Sequence, residues 1–189
     1  MSVDECVHCR DFPCADVDHS AYVLPALELD PTGISLLLIS EAAPASPDDW
    51  FYASGEEVSS LSEQLERCAY VTIAVKCGKT GYAIKTDTVK TCSQLLEHEL
   101  ALFAQARVLM LMGDLAIKPL NAIARRNGEP RVIPAGSTYK LRGPEYRNRG
   151  LRVSPSYLQA GPSFFIEKSK RKMIAEEIAA ALEVVRRRP

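Results

Sequence analysis

The sequence predicts an α/β domain built on a largely parallel sheet with helices on both faces. Three observations predict it. Continuous apolar runs of strand length recur as Gly33-Ile-Ser-Leu-Leu-Leu-Ile-Ser40, Tyr70-Val-Thr-Ile-Ala-Val75, Arg107-Val-Leu-Met-Leu-Met112 and the short Leu151-Arg-Val153. Runs that do not alternate with polar residues suit strands buried on both faces. Segments with helical spacing lie between and after them, the alternation expected of βαβ units. With 47% hydrophobic and 25% charged residues over 189 positions, the chain can bury one proper core.

The elements follow in order. The first strand is bounded by Pro31-Thr-Gly33 and by Glu41-Ala-Ala-Pro44. A helix over Glu57–Arg67 precedes the second strand, and one over Thr86–Ala104 follows it, with Val89, Leu95, Leu96, Leu100 and Phe103 on one face. Gly113-Asp114 stops the third strand, and Asp114 is a good N-cap for a helix over Asp114–Arg126. Pro130–Gly143 reads as an irregular hairpin. Leu151–Val153 runs into Ser154-Pro155-Ser156, and the last helix, Phe164–Arg187, carries a stripe of Ile174, Ile178, Ala181, Leu182 and Val185. In such folds ligands bind beyond the carboxyl ends of the strands, here Ser40–Pro44, Lys76–Lys79, Gly113–Asp114 and Ser154–Tyr157.

The amino-terminal MSVDECVHCRDF is acidic and lacks the pattern of a signal peptide, and the apolar runs are far too short to span a bilayer. The expectation is a cytoplasmic protein without membrane contact. Residues 1–189 would form one domain, with a cysteine-bearing segment 1–30 docking on it. Net charge is −1, but Arg125–Arg152 and Lys168–Arg188 hold most of the basic side chains, a distribution that permits a footprint for phosphates.

Six cysteines in a reducing compartment do not imply disulfides. Cys6-Val-His-Cys9 is a CxxC, a spacing that lets two thiolates reach one metal from a tight turn. Cys77 ends the second strand and Cys92 lies one turn into the next helix, so the two can be neighbours. Four thiolates, Cys6, Cys9, Cys77 and Cys92, suit structural zinc or an iron–sulfur cluster. Cys14 is a weaker fifth candidate.

This order of features resembles the uracil-DNA glycosylase superfamily, specifically its iron–sulfur-containing branches (families 4 and 5), over essentially the whole chain. The features are the CxxC, a strand ending in Glu41-Ala-Ala-Pro44, Val75-Lys76-Cys77 with a further Cys on the next helix, Leu111-Met-Gly113-Asp-Leu-Ala116, and Pro155-Ser156-Tyr157-Leu158. The resemblance implies a three-layer α/β/α sandwich with a four-stranded parallel sheet, and a four-iron, four-sulfur (4Fe-4S) cluster on Cys6, Cys9, Cys77 and Cys92, with zinc as the fallback. It implies DNA as partner, with hydrolysis of the N-glycosidic bond of a base flipped out of the stack, and a monomer is expected.

Carried over by residue, Glu41 keeps the acid position of the family's first motif and would orient water or balance charge at the sugar. Ala43, Phe51, Tyr52 and Ile73 would line the base pocket, one of the two aromatic rings stacking on the base. Ile73 stands where the family has an Asn that reads uracil, and an Ile side chain offers no hydrogen bond. Ser154-Pro155-Ser156 stands where the family has His-Pro-Ser, so Ser154 and Ser156 are the candidates at that loop. Lys140, Arg142, Arg147 and Arg149 would reach DNA phosphates, and Tyr157 follows the loop that wedges into DNA. Two other functions fit the same residues: a catalytically weak or inactive iron–sulfur relative that binds nucleic acid, and an electron-transfer or zinc-stabilised protein on the same fold.

Overall fold

The computed structural model describes residues 3–24, 29–43, 68–81, 83–157 and 168–187. In chain order these hold α1 (Val3–Cys6), β1 (Val17–Asp18), β2 (Leu36–Ala43), β3 (Ala69–Lys79), α2 (Thr86–Ala101), β4 (Val108–Met112), α3 (Asp114–Arg126), α4 (Thr138–Leu141), β5 (Tyr146–Asn148), β6 (Leu151–Ser156) and α5 (Lys168–Arg186). The strands form one sheet in the order β1-β3-β2-β4-β6-β5. β3, β2, β4 and β6 are parallel neighbours, while β1 and β5 pair antiparallel at the two edges.

All four apolar runs are strands and run parallel, but two short antiparallel edge strands make the sheet six-stranded and mixed, where a sheet of four strands was expected. The edge strands are two and three residues long. That is too short for hydrophobic periodicity to register. Successive side chains of β2 and β4 feed two cores. Leu37, Ile39, Leu109 and Leu111 pack with Leu96 of α2 and Ile117 and Leu120 of α3. Leu36, Leu38, Val108 and Met110 pack with Ile174, Ala181 and Leu182 of α5. Helices therefore cover both faces, and each buried aliphatic side chain stabilises by about 1.5–3 kcal/mol.

Two local expectations change. The N-cap of α3 is Gly113, at φ 98, and Asp114 lies in the first turn. There its carboxylate accepts from the backbone N–H of Thr138 at 3.3 Å. Pro130–Gly143 holds no strand; it contains α4. The helix expected over Glu57–Arg67 lies outside the described residues, as do the first residues of the last helix. Among the described residues, no helix is long and apolar enough to cross a membrane.

A buried polar network joins β3 to α2. Lys76 and Glu99 form an ion pair with both side chains fully buried. Lys76 Nζ also donates to Thr72 Oγ1 at 2.6 Å. Glu99 Oε1 accepts from Thr72 Oγ1 and from the Tyr70 hydroxyl, each at 2.7 Å. Burial pulls the Lys76 ammonium below the ordinary lysine range, and Glu99 opposes that pull.

Candidate thiol centre and carboxyl-edge site

The amino-terminal segment is fastened to the far end of β3. Val17 and Asp18 pair with Lys79 and Gly78, and the Val23 N–H donates to the Lys76 carbonyl at 2.8 Å. At Gly78 the approach is so close that a Cβ would stand 2.7 Å from Ala21 Cβ. Asp16 completes the fastening. Helix α2 has no side-chain cap of its own at Lys85. Instead Asp16 Oδ2 accepts from the Lys85 N–H at 2.7 Å and Oδ1 from the Thr88 hydroxyl.

Because Asp16 acts as an N-cap from a distant segment, Asp16→Ala should cost about 1 kcal/mol in urea unfolding. The Thr88 and Lys85 donors hold its carboxyl below the ordinary 3.8. The contribution is therefore whole above that value and is lost as pH falls through the lowered folded value. An Asp16→Ala variant should show a shallower loss of stability in acid than the parent.

The docked segment closes a cavity of about 260 Å³ lined by Cys9, Cys14, Cys77 and Cys92, with His19 and Tyr22 beside them. Of the expected set, Cys9, Cys77 and Cys92 are brought together. Cys6 is exposed and lies outside this lining, whereas Cys14 is buried within it. His19 Nδ1 is 3.4 Å from Cys77 Sγ, and the Cys9 N–H donates to the Tyr22 hydroxyl at 3.0 Å. Burial, with the neighbouring thiols adding to it, pushes Cys77 up to about 12. Burial likewise pushes Cys92 up to about 11, against a hydrogen bond from the Lys76 backbone that lowers it. Among the described residues, no group of three or more His, Cys, Asp or Glu side chains is arranged to hold a metal ion. Spacing favours the CxxC because two thiols in one turn are close automatically. What places Cys14 is the β1 pairing a few residues later, which carried no signal in the sequence.

A second constellation lies at the carboxyl ends of the parallel strands. Glu41, near the end of β2, accepts from the Leu115 N–H at 3.2 Å through Oε1, and its Oε2 is 3.5 Å from Lys79 Nζ. Gly113 lies directly against it, since a Cβ there would stand 2.6 Å from Glu41 Oε1. The Gly113 N–H donates to the Ser156 carbonyl at 2.9 Å. Gly113→Ala would force both a strained φ and a displaced Glu41. It should cost about 1–3 kcal/mol in a thermal or urea melt.

Ser156 is fully buried and its hydroxyl donates to Glu177 Oε2 of α5 at 2.5 Å. Glu177 also pairs with Arg142, whose guanidinium lies 4.8 Å over the Tyr157 ring. Ser154 lines a cavity of about 560 Å³ together with Arg142, Arg152 and Glu177. Ala43 and Ile73 are buried, with Ile73 opposite Ser40 in the sheet. Phe51 and Tyr52 lie outside the described residues.

The basic stretch is partly neutralised from within. Arg142 is held by Glu177, Arg147 by Glu145 at 2.5 Å, and Arg149 by Glu129 at 2.7 Å, while Lys140 is exposed. A broader cationic groove of about 860 Å³ runs between α2 and α3, lined by Lys90, Lys118, Arg125, Arg126 and Arg131 with Glu129 as its acid. Sequence order hides this groove, because its cations come from two helices and the loop after them. Compared with known proteins, the chain matches no family model and no curated protein.

Proposed function

We propose that the chain is a divergent uracil-DNA glycosylase-like protein that binds a base flipped out of damaged DNA and hydrolyses its N-glycosidic bond. The reading is carried by one observation. Glu41, Gly113 and Ser156 come from three separate stretches that bear the resemblance, and they adjoin at the carboxyl edge of the parallel strands. That edge is where ligands bind in folds of this class. Fixed by the Leu115 N–H and balanced by Lys79, Glu41 is poised as a carboxylate that orients water at the sugar. Ser154 supplies a neutral hydroxyl where a charge-assisted donor would be stronger, so base release is expected to be slow.

The α/β/α sandwich of this superfamily and a resident four-iron, four-sulfur cluster belong to the same proposal. The donor chemistry of the thiol cavity suits such a centre, since soft thiolates select iron–sulfur or zinc. When bound, the group would supply structural bracing, joining the amino-terminal segment to β3 and α2. Because Cys77 and Cys92 are held protonated in the metal-free protein, loading must release protons.

The test is a panel of duplexes and single strands carrying uracil, hypoxanthine or oxidised pyrimidines, scored for abasic sites. Glu41→Gln should lower the excision rate by about 10²–10³, the loss typical of removing one preorganised group. An unchanged rate removes Glu41 from the chemistry. A second reading, a non-catalytic binder of damaged or single-stranded DNA, is favoured by the buried apolar Ile73 and by the commitment of the Ser156 hydroxyl to Glu177. No product on any substrate, together with binding that weakens steeply with salt, selects it.

A further inference from the structure

We propose that Cys14, and not Cys6, completes the metal-binding thiol set, so that the ligands are Cys9, Cys14, Cys77 and Cys92 and Cys6 stays an exposed free thiol. The assignment rests on the reading that this chain carries a thiol-bound metal centre, and it departs from the CxxC pairing that spacing suggests. Four thiols line one cavity, and those four are Cys9, Cys14, Cys77 and Cys92. Cys14 is buried there, whereas Cys6 is exposed.

The chain between Cys9 and Cys14 is built to turn both inward. Phe12 adopts φ 42, the left-handed region that non-glycine residues avoid. Such a conformation persists where the surroundings over-determine it. Here the Phe12 ring packs at 5.2 Å from the His19 ring and 5.1 Å from the Tyr22 ring, both beside the cavity. On one side the turn is tied by the Cys9 N–H to the Tyr22 hydroxyl, and on the other by Asp16 to the start of α2.

Cys6 is placed differently. It ends α1, a single turn closed by the Val7 N–H donating to the Val3 carbonyl at 3.0 Å. Val3 and Val7 are both buried, at 0% and 3% exposure. Cys6 thus sits on a turn anchored by two buried valines, with its own side chain exposed and outside the cavity lining.

The experiment compares the unsubstituted protein, Cys6→Ser and Cys14→Ser after anaerobic reconstitution with iron and sulfide, reading iron and acid-labile sulfide per chain and the visible absorption. The unsubstituted protein and Cys6→Ser should load equally, and Cys14→Ser should lose at least half of its iron. Loss in Cys6→Ser with full loading in Cys14→Ser overturns the assignment. A second measurement needs no variant: the reconstituted protein is treated with iodoacetamide and mapped by mass spectrometry. Of these two cysteines, Cys6 should be carbamidomethylated with iron retained and Cys14 protected; the reverse pattern overturns the proposal. If the unsubstituted protein takes up neither iron in this reconstitution nor zinc in a parallel incubation with zinc alone, the underlying metal-centre reading fails, an outcome distinct from a misassigned ligand.

Discussion

Glu99→Leu should lower the free energy of unfolding by about 3–5 kcal/mol, the cost of leaving one member of a buried ion pair without its partner. Fully buried Lys76 would then lose the carboxylate that holds its charge, keeping the Thr72 hydroxyl as a hydrogen-bond partner, and the Tyr70 hydroxyl would lose Glu99 as an acceptor. The double variant Lys76→Met with Glu99→Leu should recover most of that loss, because two apolar side chains of similar volume need no partner. Urea titrations of the parent, both single variants and the double variant give the coupling as a double-mutant cycle. If the double variant loses as much as the sum of the singles, the two groups act independently and the pair is not the unit that matters.

In the metal-free protein, Cys77 and Cys92 should be nearly inert to alkylation at mildly alkaline pH, while the exposed Cys6 labels first. The thiolate is the reactive form. Raising a thiol from the ordinary 9.0 to about 12 at Cys77, or to about 11 at Cys92, cuts the thiolate present below that range. The reduction is about a thousandfold for the first and about a hundredfold for the second. Time-resolved labelling with mass spectrometry reads this directly; a Cys77 that labels as fast as Cys6 would mean the cavity is open. The same shifts set a stability window. An unfolded thiol gives up its proton near 9.0, before the folded Cys77 or Cys92 does. The contribution of these thiols to folding is therefore whole below that value and is lost as pH climbs through the folded values.

The central strands were legible because a strand buried on both faces must be apolar at every position, and Leu36–Ile39 and Val108–Met112 are. Val17–Asp18 and Tyr146–Asn148 were not, since edge pairing is made by backbone groups that leave no mark on so few side chains. The meeting of Glu41, Gly113 and Ser156 was expected from the rule that strand ends converge. The thiol set was only partly legible. Cys77 and Cys92 follow from strand-to-helix adjacency, but the choice between Cys6 and Cys14 depends on Asp16 and β1, which act across the fold. Lys76 carried a signal that passed unread: a lone lysine at the end of an apolar strand, with Glu99 on a helix face otherwise given to Val89 and Leu96, marks a buried pair.

The contacts that close the thiol cavity join residues far apart along the chain: 58 positions for His19 with Cys77, 69 for Asp16 with Lys85, and 72 for Asp16 with Thr88. Contacts of such long range form only after loop-closure entropy has been overcome by the rest of the fold. During synthesis, Cys9 and Cys14 leave the ribosome several seconds before Cys77 and Cys92, at roughly 5–20 residues per second. For that interval half of the thiols exist without the other half, open to oxidants and to stray metal ions. The cavity is thus a late, long-range assembly, and any metal it takes up must arrive after the sheet is in place.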